Sequence, residues 1–368
     1  MIYLDNSATT KPKKEVLNAF LLANEQYYAN PASLHQLGNE AEHLLETARQ
    51  QIIRLLNMDH AIFTSGGTES NNLALIGTAH SYQHRGKHII TAETEHPSVL
   101  NALAKLAEEG FEVEKLPVGR FGEIDLDELK NALRSDTILV SLMHVNNEIG
   151  AVHPVAEIAR LLKNTRTLFH VDAVQSIGKI PLDPSAMPDL LSVSAHKIHG
   201  LKASGVLAFN QVELKAILAG GGQEFGLRSG TVSVPHAAAL AKALRLAEPN
   251  PQHAVWNKQL RDFFAKFQEV LVISPQDGAP HILSLAVKGI KGEVLVTGLQ
   301  KEEVIVSTSS ACSSKSQTAS HVIEAIGMPH SYKEGMIRIS FGAFTTEQDI
   351  GKLKKAFERV YRLIKGAK

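Results

Sequence analysis

Short apolar runs alternate with amphipathic stretches through the first two-thirds of the chain. Ala61-Ile62-Phe63-Thr64, His88-Ile89-Ile90-Thr91 and residues 137–142, 167–171 and 190–193 are predominantly apolar without a polar face, the pattern of buried strands. Between them the apolar positions take helical spacing. One helix is predicted after Pro97-Ser98, with Val99, Ala102, Leu103 and Leu106 on one face. Another starts at Asp125, where Asp125 and Glu128 have the spacing of a capping box, and a third carries Ile158, Leu161 and Leu162. Strands and helices in alternation predict an α/β domain around a mostly parallel sheet. Ala247-Glu248-Pro249-Asn250-Pro251 breaks the pattern. Beyond it, strands at 270–273, 281–287 and 337–341 mix with helices. The last helix is predicted to open at Thr345, with Gln348 three residues on and Ile350, Leu353, Phe357, Val360, Tyr361 and Ile364 along its apolar face. This part reads as a smaller α+β domain.

Size and charge narrow the function classes. At 368 residues the chain exceeds the ~250–300 at which one core stops growing, so two domains are expected. Its 44% apolar and 21% charged residues are those of a soluble globular protein. The 38 basic and 38 acidic residues cancel and no basic tail is present, which argues against direct nucleic-acid binding. No apolar run approaches a membrane span. The opening Met1-Ile2-Tyr3-Leu4-Asp5 lacks the features of a signal peptide, so a cytoplasmic protein is expected. The single cysteine, Cys312, excludes an intrachain disulfide and any Cys-x-x-Cys zinc site, and no metal is expected.

Four segments carry candidate chemistry. Thr64-Ser65-Gly66-Gly67-Thr68-Glu69-Ser70-Asn71-Asn72 follows a strand and precedes a helix. It reads as a phosphate cradle at a helix N-terminus, or as a tight turn; strict dinucleotide or Walker spacing is absent. In Phe169-His170-Val171-Asp172-Ala173-Val174-Gln175, Asp172 ends an apolar strand, where it can face a ligand cation or cap a helix. In Ser192-Val193-Ser194-Ala195-His196-Lys197, a lysine follows a buried strand. Desolvation would make it a nucleophile; the alternative is an ammonium that snorkels to water. Around Cys312, Ser307-Thr308-Ser309-Ser310-Ala311 and Ser313-Ser314-Lys315-Ser316 are small and polar, a poor core segment and a plausible loop for a reactive thiol. Gly220-Gly221-Gly222 leads to Arg228-Ser229-Gly230-Thr231, a flexible loop with a possible anion contact. Arg338 lies inside the apolar strand Ile337-Arg338-Ile339-Ser340 and needs an anionic partner, either a ligand carboxylate or an internal Asp or Glu.

Together these segments resemble the cysteine desulfurases of the NifS and IscS type. The resemblance runs from Tyr3-Leu4-Asp5-Asn6-Ser7-Ala8-Thr9-Thr10 to Phe344-Thr345-Thr346-Glu347. It includes Asn30-Pro31-Ala32-Ser33, Thr94-Glu95-His96, His144-Val145-Asn146-Asn147-Glu148-Ile149-Gly150, His170-Val171-Asp172, His196-Lys197 and Arg228-Ser229-Gly230-Thr231. It implies the α/β, aspartate-aminotransferase-like fold type I of pyridoxal 5'-phosphate (PLP) enzymes, acting as a homodimer. Residues 14–249 would form the large PLP-binding domain, and 1–13 with 250–368 the small α+β domain carrying the Cys312 loop. Lys197 would hold PLP covalently, Asp172 would pair its pyridinium nitrogen, Gln175 would contact its phenolic oxygen, and His96 would stack on the ring and move protons. Thr68, Ser194 and His196 would hold the phosphate, with Thr231 reaching across from the second subunit, and Gly67 would also line the cofactor site. Asn147, beside the cofactor, and Arg338 would receive the substrate carboxylate. Cys312 would take sulfur from L-cysteine, leaving L-alanine and a persulfide for an iron–sulfur scaffold, a tRNA-thiolating enzyme or a cofactor-biosynthesis protein. A selenocysteine lyase or another fold type I lyase is the alternative activity, and an inactive PLP-binding scaffold the non-enzymatic one. The chain departs from the family pattern at Gly67, Ala195, Gln223, Phe225 and Ala343, none of them a catalytic group. It also lacks the longer C-terminal tail with which some relatives grip an iron–sulfur scaffold.

Overall fold

Runs without a polar face are satisfied in a sheet covered on both sides, and the apolar runs of this chain lie there. The computed structural model describes residues 1–308 and 320–366. Its strands, in chain order, are β1 (Ile2–Tyr3), β2 (His60–Thr64), β3 (His88–Ala92), β4 (Glu112–Leu116), β5 (Thr137–Met143), β6 (Leu168–Asp172), β7 (Leu190–Ser194), β8 (Gly205–Phe209), β9 (Val270–Val272), β10 (Ile282–Val287), β11 (Val304–Ile305) and β12 (Met336–Ser340). Seven form the large sheet in the order β2-β8-β7-β6-β5-β3-β4. From β7 to β4 all pairs are parallel, whereas β8 runs antiparallel to both β7 and β2. The outer strand β4 carries Glu112, Glu114 and Lys115, charges that discourage pairing with another chain.

The helices are α1 (Lys14–Gln26), α2 (Gln36–Leu56), α3 (Gly67–Tyr82), α4 (Pro97–Glu108), α5 (Leu126–Ala132), α6 (Val155–Leu162), α7 (Val234–Arg245), α8 (Gln252–Phe264), α9 (Gly292–Lys301), α10 (His321–Ala325), α11 (His330–Lys333) and α12 (Glu347–Gly366). Successive strand residues point to opposite faces, so Ile89 and Leu139 pack with α3 and α4, while Ile90 and Val140 pack with α1, α2, α6 and α7. Each large side chain so buried contributes roughly 1.5–3 kcal/mol, which outweighs the fraction of a kcal/mol by which helix propensities differ.

A second core holds Leu4, Trp256, Phe263, Phe264, Leu283, Leu295, Ile337 and Phe357, around the antiparallel sheet β12-β10-β9. β1 joins it by pairing in parallel with β11, and Asp5 bridges to Ser340. Two helix starts differ from expectation. Thr346 and Asp349, not Thr345 and Gln348, cap each other at the start of α12; the Thr345 hydroxyl instead accepts from Gly342 N. Asp125 does cap α5, but on the N–H of Asp127. Among the described residues no helix is long and apolar enough to cross a membrane.

Candidate active site

Ligands of open α/β sheets gather where parallel strands end and loops begin. Here those ends surround a cavity of about 210 Å³ lined by Ser7, Ala8, Gly67, Thr68, Asn71, His96, Ser98, Met143, Val145, Asn147, Asp172, Val174, Gln175, Ser194, His196, Lys197 and Arg338. A larger cavity, about 660 Å³, shares Lys197 but is walled by Lys13, Lys179, His253 and Phe344. It lacks Asp172, His96 and Arg338, so the smaller cavity is the candidate site.

One end of the site suits an anion. Gly66 turns the chain at φ +148°, a conformation that favours glycine, and Gly67 starts α3. A Cβ at Gly67 would lie 2.7 Å from Val174 Cγ2, so glycine lets the helix start sit against the turn after β6. The first N–H groups of a helix have no intrahelical partner. Beside them the Ser194 hydroxyl is buried with no hydrogen-bond partner among the described residues, a costly state unless a ligand supplies one. The Glu69 carboxylate accepts from Ser65 N and pairs with Arg228 at 2.7 Å. The possible anion contact at Arg228 is therefore already an internal ion pair. His196 joins the wall, its Nδ1 3.1 Å from Thr9 Oγ1. Burial, then the charges of Lys197, Lys202 and Lys179, push its imidazole down to about 4, so it is neutral at pH 7.

The centre of the site suits a cation. Asp172 is 5% exposed at the end of β6. Its Oδ1 accepts from Val174 N at 3.0 Å and its Oδ2 from Asn71 Nδ2 at 2.8 Å, so it caps the following turn and still reaches the cavity. Asn71 Nδ2 also donates to Ser98 Oγ, which contacts His96 Nδ1 at 2.8 Å. Because His96 Nδ1 accepts from Ser98 N, the hydrogen bonding assigns the ring proton to Nε2. Burial lowers the His96 pKa; Asp172 opposes this, and Lys197 and His321 reinforce it. Lys197, on the short 3-10 turn after β7, does not snorkel outward: Nζ donates to the carbonyls of Ser7 and Ala8. Gln175 Nε2 donates to the same Ser7 carbonyl at 2.9 Å.

At the far wall Arg338 is 1% exposed. Nη1 donates to the Asn147 carbonyl at 2.8 Å and Nη2 to Asp5 Oδ1 at 2.9 Å. The internal carboxylate partner is therefore present, on a guanidinium that also lines the cavity. Thr231 is exposed and does not line this cavity. Cys312 lies outside the described residues. Sequence reasoning assigned no role to Asp5, Ser7, Ala8, Asn71 or Ser98, although the first three lie in the Tyr3–Thr10 segment and Asn71 in the glycine-turn segment.

The class-V aminotransferase family model matches residues 2–353. A cysteine desulfurase IscS of Dictyoglomus turgidum is 39% identical, over 98% of this chain and 94% of the relative. Among solved structures, a NifS-like protein superposes with a TM-score of 0.90 at 35% identity, covering 98% of this chain and 99% of its own. SspA in complex with cysteine superposes at 0.83 with 30% identity, covering 94% and 100%.

Proposed function

The chain belongs to the class-V aminotransferase family, and from that membership we propose that it is a PLP-dependent cysteine desulfurase, converting L-cysteine to L-alanine with a persulfide left on Cys312. The observation that carries the reading is the convergence of His96, Asp172, Lys197 and Arg338, from four separate segments, on one cavity. The orphaned Ser194 hydroxyl at the start of α3 supports a phosphate there. When bound, PLP supplies the electron sink for the carbanion left by removal of the Cα proton. Lys197 would carry it, Gly67, Thr68, Ser194 and His196 would hold its phosphate, Asp172 would face its ring nitrogen, and Gln175 its phenolic oxygen. Thr231 would complete the site of the second subunit in a homodimer. On this reading residues 14–249 form the cofactor-holding unit, and 1–13 with 250–368 the unit bearing Cys312.

The remaining work falls to the chain. Arg338 and Asn147 orient the substrate carboxylate, the former through paired charge-assisted bonds. The Lys197 amine takes the Cα proton and returns it. His96, kept neutral by burial, holds its proton at Nε2, where it can pass to a neighbouring atom. Cys312 attacks the substrate sulfur as a thiolate. An S–S bond forms as the C–S bond breaks, so cysteine plus thiol becomes alanine plus persulfide. In the cytoplasm that persulfide would pass to an acceptor protein of iron–sulfur assembly, tRNA thiolation or cofactor synthesis.

Two variants test the reading. Borohydride should fix PLP onto Lys197 in the wild type and in Cys312→Ala, and on no residue in Lys197→Ala. Cys312→Ala mixed with cysteine should carry no sulfane sulfur and release alanine at roughly a hundredth of the wild-type rate or less. Alanine released at the wild-type rate would remove Cys312 from the mechanism.

A further inference from the structure

The counter-ion of Arg338 stands outside the cavity that Arg338 lines. Asn147, Ser7 and Ala8 share that cavity with the guanidinium; Asp5 does not, yet its Oδ1 accepts from Nη2 at 2.9 Å. The Asp5 side chain is 15% exposed and that of Arg338 1%. The backbone on either side of Asp5 is tied to β12. Ser340 N donates to Leu4 O at 2.7 Å, Ser7 N to Ser340 Oγ at 2.8 Å, and Asn6 Nδ2 to Ser340 O at 3.0 Å. Ser340 and Arg338 both belong to β12, and Arg338 is itself fixed by N–H and C=O bonds to Ser307. Carboxylate and guanidinium thus ride on one stitched piece of backbone. A carboxylate carried there is a resident counter-ion of the guanidinium.

A resident counter-ion changes what an incoming carboxylate meets. The pair has no net charge, so the grip depends on the direction of the guanidinium N–H groups more than on a full positive charge. Such a balance suits turnover. Cysteine and alanine carry the same α-carboxylate, so a grip that strengthens one strengthens the other, and uniform binding does not raise kcat.

We propose that Asp5 is a positioning residue for Arg338: it aligns the guanidinium with the cavity and offsets its charge, so that the site takes an amino acid with a single carboxylate and lets the product leave. This rests on the reading of Arg338 as the receiver of the substrate carboxylate.

The test compares the PLP-loaded wild type with Asp5→Asn and Arg338→Gln, reading the inhibition constant of alanine together with KM and kcat for cysteine. Asp5→Asn keeps an Oδ1 acceptor and removes the charge. Both the alanine constant and KM should fall, by roughly tenfold for one nearby charge in a partly polar site, and kcat should fall because alanine leaves slowly. Constants that stay the same or rise would overturn the proposal. If Arg338→Gln leaves both constants at wild-type values, the failure belongs to the carboxylate reading of Arg338 instead. Should Asp5→Asn not fold, Asp5→Glu decides: with the charge kept and the alignment lost, the alanine constant and KM should rise severalfold while kcat drops. Tightened alanine binding or unchanged kcat in that variant would overturn it.

Discussion

Glu95 enters the interior on the same turn that presents His96. It is fully buried; Oε1 accepts from Met143 N at 2.8 Å, and Oε2 has no partner among the described residues. Burial, with Asp172 adding to it, pushes its carboxyl well above the usual range, against the pull of the Met143 N–H. The unfolded chain loses this proton near pH ~4.3, whereas the folded chain keeps it to higher pH. The stability it contributes is therefore complete below the unfolded value and lost as pH rises through the folded one. Glu95→Gln keeps an acceptor at Oε1 and cannot ionise. Its Tm should match the wild type near pH 4 and exceed it by a growing margin toward pH 8; a difference that does not vary with pH would show that Glu95 stays ionised. At this scale the sequence was legible where residue type meets position: Asp172 and Lys197 each follow an apolar strand. The Ser7 and Ala8 carbonyls were not, because a backbone acceptor carries no residue-type signal. Nor was the partner of Arg338, 333 positions away.

Among elements, Gly205 shows how one residue of β8 shapes the anion end of the site. It sits opposite Thr64 of β2 and Ser194 of β7. A Cβ there would lie 2.6 Å from Gly66 Cα and 2.8 Å from the Val193 carbonyl oxygen, both backbone atoms that cannot rotate away. Gly205→Ala should push the Gly66-Gly67 turn off Ser194, cost about 1–3 kcal/mol as overpacking does, and weaken PLP capture by the apoenzyme. Denaturant unfolding and titration with PLP followed by absorbance measure the two effects; unchanged PLP affinity would show that the turn is not part of the phosphate site. The central strands were legible because buried-strand runs have few other homes. β8 was not singled out, and periodicity says nothing about strand direction, so its antiparallel place between β2 and β7 was hidden. β1 and β11, two residues each, are too short to leave a pattern.

For the molecule as a whole, buried histidines set the response to acid. His144, His170, His196 and His253 are pushed down to about 4, and His281 is held well below the usual imidazole range, in each case first by burial. His96, His153, His199 and His236 are lowered as well. For each, the unfolded chain takes up a proton below about pH 6.5 while the folded one resists, so stability present above that pH is lost as pH falls toward the folded value. Asp5, Glu95, Glu148 and Asp189 are raised and act in the opposite sense, but they are fewer. Tm should therefore fall between about pH 6.5 and 5; a flat or rising Tm over that interval would mean the histidines are not held neutral. The change of pattern at 247–251 marked where the antiparallel sheet β12-β10-β9 follows the large one, but the return of the N-terminal segment to β12 could not be read from it. That return has a consequence in time. On the ribosome Asp5 is made early and its partner 333 positions later, and contacts so distant along the chain form last, after the cost of closing the loop is met. A growing chain thus carries Lys197 before it has the arginine that would seat an amino acid against it.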